Sequence, residues 1–289
     1  SEFFGNVAGR RGGAAFLSRP GHRITSMPPA AAWVYNCTFV SNIAGETGPS
    51  LPDQGGGAVW FGERGTNPMV PVFPIALPVA VANNVALRNA VRGFGAAYYV
   101  DGTNELPVDI CNDTIANNFV IETADPNGSG GILYYAGGQA GTMDPPPTIR
   151  NTIIQSNQDV VSFRSVEGPG VPRLDMTYSN VARVGTLPGG LPAVWPGTGN
   201  INANPQFVAL AMDDVRLQPG SPSVDTGLDT LLLPDHADLD ENDNDVEPTP
   251  RAFVITDGRI NDFLGNGPGT CGQGTTTCGL VDMGAHELF

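Results

Sequence analysis

A short pattern recurs along the first two-thirds of the chain and dictates what it can fold into. Its clearest copy is Asn36-Cys37-Thr38-Phe39-Val40-Ser41-Asn42-Ile43-Ala44, closed after a polar excursion by Gly56-Gly57-Ala58-Val59-Trp60-Phe61. The alternation predicts a strand that turns Cys37, Phe39 and Val40 toward a core, and an asparagine then turns the corner. After a loop of free length, the glycine pair lets backbone approach backbone before a second apolar strand begins.

Imperfect copies follow one another. Phe3-Phe4-Gly5-Asn6 leads to Gly12-Gly13-Ala14-Ala15-Phe16, and Val85-Ala86-Leu87-Arg88-Asn89 leads to Gly95-Ala96-Ala97-Tyr98-Tyr99. Cys111-Asn112-Asp113-Thr114-Ile115 precedes Gly130-Gly131-Ile132-Leu133-Tyr134, and Asn151-Thr152-Ile153-Ile154 precedes Val160-Val161-Ser162-Phe163. A degraded copy is Met176-Thr177-Tyr178-Ser179-Asn180-Val181. We assign the corners to Asn6, Asn42, Asn89, Asn117, Asn157 and Asn180. Their separation of roughly 25 to 45 residues is in the range where repeats mean stacked architectures, with the irregular length carried by loops. Stacked amides bonded along the column explain why asparagine recurs there. Asn36, Asn112 and Asn127 match the glycosylation pattern, but the first two open strands and the match is read as coincidence. Cys37 and Cys111 are assigned equivalent inward positions of two repeats, as small buried apolar residues.

The Phe-x-x-Asn pattern (Phe3 to Asn6, Phe39 to Asn42), combined with Gly-Gly-Ala-apolar (Gly12 to Ala15, Gly56 to Val59), resembles the repeats of polymorphic outer-membrane adhesins. A later series runs through Asn204-Pro205-Gln206-Phe207-Val208, Asp214-Val215-Arg216-Leu217, residues 220–227, an acidic loop ending at Arg251, and Val281-Asp282-Met283-Gly284-Ala285-His286-Glu287. That series is similar to the closing region of secreted bacterial parallel β-helix proteins of the choice-of-anchor kind. The resemblance implies an all-β fold in which a single chain winds a right-handed parallel β-helix of about seven to nine rungs. Residues 1–199 would form the repeats, with irregular loop insertions. Residues 200–289 would close the same structural domain. Glycine (38) and proline (26) make up over a fifth of the 289 residues, which agrees with many turns and little helix.

Charge narrows the partners. The formal net charge is −15, and all 14 basic residues are arginine. Such a surface disfavours nucleic acid and anionic membranes, which need a basic face. The lack of lysine removes Schiff-base chemistry and isopeptide crosslinks. Cys271 and Cys278 bracket a glycine-rich loop, where a disulfide would close the excursion and imply an oxidising compartment. Repeated prolines in the apolar stretch Asn67 to Ala82 forbid a transmembrane helix. We expect it to be an extended arm along the flank of the stack, with docking to a neighbouring subunit as the alternative. Ser1 opens almost directly on a repeat with neither signal peptide nor initiator methionine, so the chain reads as a processed piece. An open first rung would need a cover. An upstream domain, residues 10–29 folding back, or another copy of the chain would each serve.

The acidic loop is the candidate ligand site. Asp238, Asp240, Asn242, Asn244 and Glu247 place hard oxygen donors at near-alternate positions, as calcium requires, so calcium is the expected cofactor. The likeness to an EF-hand loop stops halfway, because Asp243 stands where glycine belongs and Thr249 where glutamate does. Catalysis would need carboxylates clustered on neighbouring rungs. Asp159, Asp175 and Arg173 are the best lyase-like candidates, and Asp213-Asp214 is an adjacent pair near a strand. Trp60, Tyr98, Tyr99, Tyr134, Tyr135 and Phe163 follow the glycine pairs and are expected to stack in the core or on a flank, the alternative being an exposed strip for carbohydrate. The repeats carry asparagine, threonine and aliphatics at their inward positions and no convergent acid–base set. We therefore expect a non-catalytic, secreted or cell-surface structural or adhesion protein that self-associates or binds another surface protein or a polysaccharide. A polysaccharide lyase or glycoside hydrolase is the alternative.

Overall fold

The computed structural model describes residues 1–18, 32–45, 55–62, 79–101, 108–122, 133–136, 148–157, 163–165, 175–182, 197–224, 226–227 and 283–284. Within them the protein is all-β, with one short 3-10 turn at Leu210–Met212.

Four parallel sheets carry the repeats. Sheet I stacks Glu2–Phe4, Thr38–Val40, Val85–Leu87, Thr114–Ala116, Ile153–Gln155 and Asn180–Val181 in that order. Sheet II stacks Val7–Ala8, Ile43–Ala44, Ala90–Arg92 and Phe119–Glu122. Sheet III contains Ala15–Ser18, Val59–Gly62, Tyr98–Asp101, Leu133–Ala136 and Phe163–Ser165. Sheet IV contains Ala32–Tyr35, Val79–Ala82, Val108–Cys111, Thr148–Arg150 and Asp175–Thr177. From Glu2 to Arg150 the chain visits sheets I, II, III and IV in turn and returns to sheet I, where each new strand pairs in parallel with its counterpart from the previous circuit. This arrangement is compatible with a β-solenoid.

Register follows from side-chain alternation, since a one-residue slip would turn the core outward. Phe39, Ala86, Ile115, Ile154 and Val181 are the inward column of sheet I. They meet Val59 and Tyr98 of sheet III and Val81, Ile110, Ile149 and Met176 of sheet IV in one buried core. Phe3 extends that column and stacks on Phe39 with ring centroids 5.0 Å apart.

Each circuit bends at residues with left-handed backbone. Asn36, Asn83, Asn112, Asn151 and Tyr178, with φ of 47° to 56°, mark the bend from sheet IV to sheet I. Gly5, Ser41, Arg88 and Asn117 mark the bend into sheet II, with φ of 51° to 59°, and Ser156, with φ of 57°, takes the same conformation after Ile153–Gln155. Asparagine tolerates this region better than most side chains. At the approach to sheet III, Gly12, Gly56 and Gly95 take the same conformation. Gly13 and Gly57 are required for a second reason. A Cβ on either would lie about 2 Å from a carbonyl oxygen of the next circuit (Gly57 O at 2.1 Å, Ala96 O at 2.0 Å).

Several sequence expectations change. Val79–Ala82, the end of the stretch read as an arm, is a sheet IV strand paired on both sides, because Val79 and Val81 alternate into the core; residues 67–78 lie outside the described residues. Cys37 and Cys111 are not equivalent. Cys37 precedes a sheet I strand and aligns with Asn84, whereas Cys111 ends a sheet IV strand opposite Ala82 and Arg150. Both are free thiols.

The described part of the closing series lies along the side of the stack. Phe207–Ala209 and Asp214–Leu217 form an antiparallel hairpin. Val215, with Phe207 and Leu210, covers the outward residues Val40, Val85, Leu87 and Ala116 of sheet I, and Leu217 and Met283 cover Ile153. Met283 N donates to Ser223 O, and Gly284 N to Asn151 O at 2.7 Å. Burying an aliphatic side chain of this size contributes about 1.5–3 kcal/mol, so the hairpin is held chiefly by apolar burial.

Candidate functional site

The most regular polar construction is a column of asparagines at the bend between sheets I and II. Asn6, Asn42, Asn89 and Asn118 each donate backbone N–H and side-chain Nδ2 to the Oδ1 of the asparagine one circuit on, at 2.8–3.1 Å, the last acceptor being Asn157. The second Nδ2 proton reaches back to a carbonyl of the preceding circuit: Asn42 to Phe3, Asn89 to Phe39, Asn118 to Ala86 and Asn157 to Ile115. Only an amide supplies two donors and a doubly accepting oxygen in one planar group. The circuits differ by 36, 47, 29 and 39 residues, yet the column is unbroken.

Two of the six predicted corners are corrected. Asn118, not Asn117, belongs to the column; Asn117 is the left-handed residue before it, as Ser41 precedes Asn42. Asn180 lies inside a sheet I strand, where it accepts from Gln155 Nε2 and donates to Ser223 Oγ. The constant distance from the inward residue (Phe39 to Asn42, Ile115 to Asn118) was the signal that separates neighbouring asparagines.

A second column, absent from the sequence reading, lines the bend from sheet IV to sheet I. Cys37 N donates to Asn84 Oδ1, and Asn84 N and Nδ2 to Asp113 Oδ1. Thr152 N donates to Ser179 Oγ, and Ser179 N to Asn200 Oδ1. Residue type varies along this column, which hid it; the shared trait is a small polar group two positions before the inward residue of sheet I. Asp113 is its one carboxylate, fully buried, and its Oδ2 accepts the hydroxyl of fully buried Tyr98 at 2.8 Å. Burial, then the neighbouring Asp113 and the hydrogen bond to it, holds the Tyr98 hydroxyl well above its ordinary pKa. Burial likewise pushes the Cys111 thiol up, against the opposing charge of Arg150. Neither group is a ready nucleophile.

The other candidate acids are distributed rather than gathered. On the outward side of sheet IV, Asp109 is bound by the Arg150 guanidinium and by Thr148 Oγ1. Asp175 lies exposed on the same side, opposite Thr148. Asp213 pairs with Arg88, tying the hairpin to the bend between sheets I and II, and Asp214 pairs with Arg216 within its own strand. The aromatics divide by direction. Tyr98 points inward and meets Phe61 edge to face, while Phe16, Trp60 and Tyr99 stack outside sheet III at 4.7 and 5.7 Å. Trp60 and Tyr99 are buried, and Phe16 at the first strand is 37% exposed.

Asp238, Asp240, Asn242, Asn244 and Glu247 lie outside the described residues, as do Asp159, Arg173, Cys271 and Cys278. The side chains of Tyr134, Tyr135 and Phe163 do too. Among the described residues, no three His, Cys, Asp or Glu side chains come together as a metal site would need, and no helix is long and apolar enough to cross a membrane. No family model, curated protein or solved structure matches the chain.

Proposed function

We propose that the chain is a non-catalytic, secreted or cell-surface scaffold, built as a right-handed parallel β-helix and used for structure or adhesion. One observation carries this reading. The asparagines of the column and the buried Asp113 carboxylate are consumed in bonds between circuits and to Tyr98, and three of the described acids, Asp109, Asp213 and Asp214, are held by arginines. Such an interior stiffens a rod and leaves its chemistry to loops. Calcium bound by Asp238, Asp240, Asn242, Asn244 and Glu247 would neutralise the acidic loop of that scaffold. A thermal melt with and without chelator tests the metal: an unchanged Tm removes it.

A second reading, a polysaccharide lyase or glycoside hydrolase, draws on Asp175, which is exposed two strands from Asp109 along sheet IV. Turnover assays on acidic and neutral polysaccharides separate the two. The scaffold reading predicts none; robust turnover abolished by Asp175→Ala would replace it with the enzymatic one.

A further inference from the structure

The four sheets differ in what they turn outward. Sheet I is covered by the hairpin, through Val215 and Leu217. Sheet III carries the stacked Phe16, Trp60 and Tyr99, and sheet II carries Ile43, Ala90 and Phe119 on the side away from Ala44, Val91 and Val120. Sheet IV changes character from Val108 onward. Ile110, Ile149 and Met176 fill the core, so alternation turns their strand neighbours the other way. Asp109, Thr148 and Asp175 make one outward column over three circuits, about 4.8 Å per step, with the buried Cys111, then Arg150 and Thr177, in the next.

This strip is fixed in place yet reachable. Arg150 clamps the Asp109 carboxylate while Thr148 Oγ1 donates to it at 2.9 Å, and the two charged side chains stay 20% and 18% exposed. Asp175, exposed one circuit on from Thr148, is in none of the ion pairs among the described residues. Connections of free length, residues 102–107, 137–147 and 166–174, lead into the three strands, and uniform two-residue bends, residues 112–113, 151–152 and 178–179, lead out to sheet I. A rigid polar face bordered by variable connections is the arrangement in which scaffolds hold a recognition site.

We propose that the outward side of sheet IV at Asp109, Thr148, Arg150, Asp175 and Thr177 binds a neutral polysaccharide lying along the stack. The proposal rests on the adhesion reading above and names its partner class. Donors from Arg150 and the threonine hydroxyls alternate with the Asp109 and Asp175 acceptors, which suits a ligand whose many hydroxyls each donate and accept. None of these positions holds an aliphatic or aromatic side chain, whereas a stable protein interface is built around such a centre. Arg150 already balances Asp109, so Asp175 and the net charge of −15 set the face against acidic glycans.

Electrophoresis of the full chain through gels cast with a soluble neutral β-glucan, a soluble mannan or polygalacturonate tests this. Retardation is expected in at least one of the neutral gels and not with polygalacturonate. Asp175→Ala combined with Thr177→Ala should weaken it roughly ten-fold or more at an unchanged urea midpoint. Met212→Ala, on the hairpin, should leave it unaltered. Equal retardation of the double variant and the parent chain overturns the face, as does retardation by polygalacturonate alone or by none of the three. Reducing ends released from a glycan that the face retains would uphold the face and remove the non-catalytic reading, so the two fail separately.

Discussion

The Tyr98 hydroxyl donates to Asp113 Oδ2 at 2.8 Å inside the stack, where both side chains have no exposed surface. The other Asp113 oxygen takes two donors from Asn84, so a single carboxyl group joins the core of sheet III to the polar column beside sheet I. A lone polar group at this depth is costly; three donors make this one a junction.

Replacing that carboxyl group tests the junction. Asp113→Leu leaves three buried donors without an acceptor and should lower stability in urea by more than about 3 kcal/mol. Asp113→Asn keeps the oxygen facing Asn84 and matches the residue type at Asn84 and Asn200 in the same column, so its loss should be about 1–2 kcal/mol. Equal losses in the two variants would show that charge, rather than hydrogen-bond matching, holds this point.

Asn89 is the middle of the asparagine column, with every side-chain donor and acceptor used. Asn89→Ala strands groups on both neighbouring circuits and should cost about 2–4 kcal/mol in urea denaturation. Asn89→Asp replaces two donors by an acceptor and should be worse at neutral pH, recovering partly in acid once the new carboxyl is protonated. A pH-independent loss would contradict this account.

Alkali should unfold the chain through its interior. The pKa values of Tyr98 and Cys111 are raised in the folded state from ordinary values of 10.0 and 9.0. Their stabilising contribution is therefore whole below those values and is lost as pH rises past them toward the folded-state pKa values. Each group adds a slope of up to about 1.4 kcal/mol per pH unit. Urea unfolding between pH 8 and 11.5 should show this fall, and Tyr98→Phe and Cys111→Ala should each make it shallower.

The hairpin on sheet I should behave as core. Leu217 is 3% exposed against Ile153 and Met283, so Leu217→Ala should lower stability by about 2–5 kcal/mol. Met212, 83% exposed in the same hairpin, is the control, and Met212→Ala should change the urea midpoint little.

How much of this was legible in the sequence depends on how uniform each column is. The asparagine column could be read because one residue type meets the demand for two donors and one double acceptor, and the glycine pairs because no Cβ fits. Adjacent asparagines blurred the reading at Asn117 and Asn118, where the distance from Ile115 decides. The second column was not legible, because Asn84, Asp113, Thr152, Ser179 and Asn200 all present a small acceptor and composition has no single signature there. The ion pairs Arg88–Asp213 and Arg150–Asp109 join residues 125 and 41 positions apart, and nothing local to either partner announces them.

Stacking of the circuits is tested most directly by a disulfide between them. Asn117 and Ser156 are left-handed bend residues immediately before the neighbouring column members Asn118 and Asn157. Adjacent parallel strands lie about 4.8 Å apart, within reach of a disulfide. With the four native cysteines replaced by alanine, a chain carrying Asn117→Cys and Ser156→Cys should form an intrachain disulfide under mild oxidation when folded, mapped by mass spectrometry, and should form little in urea. Two free thiols in the folded chain, or a bridge that forms equally well in urea, would contradict the stacked arrangement.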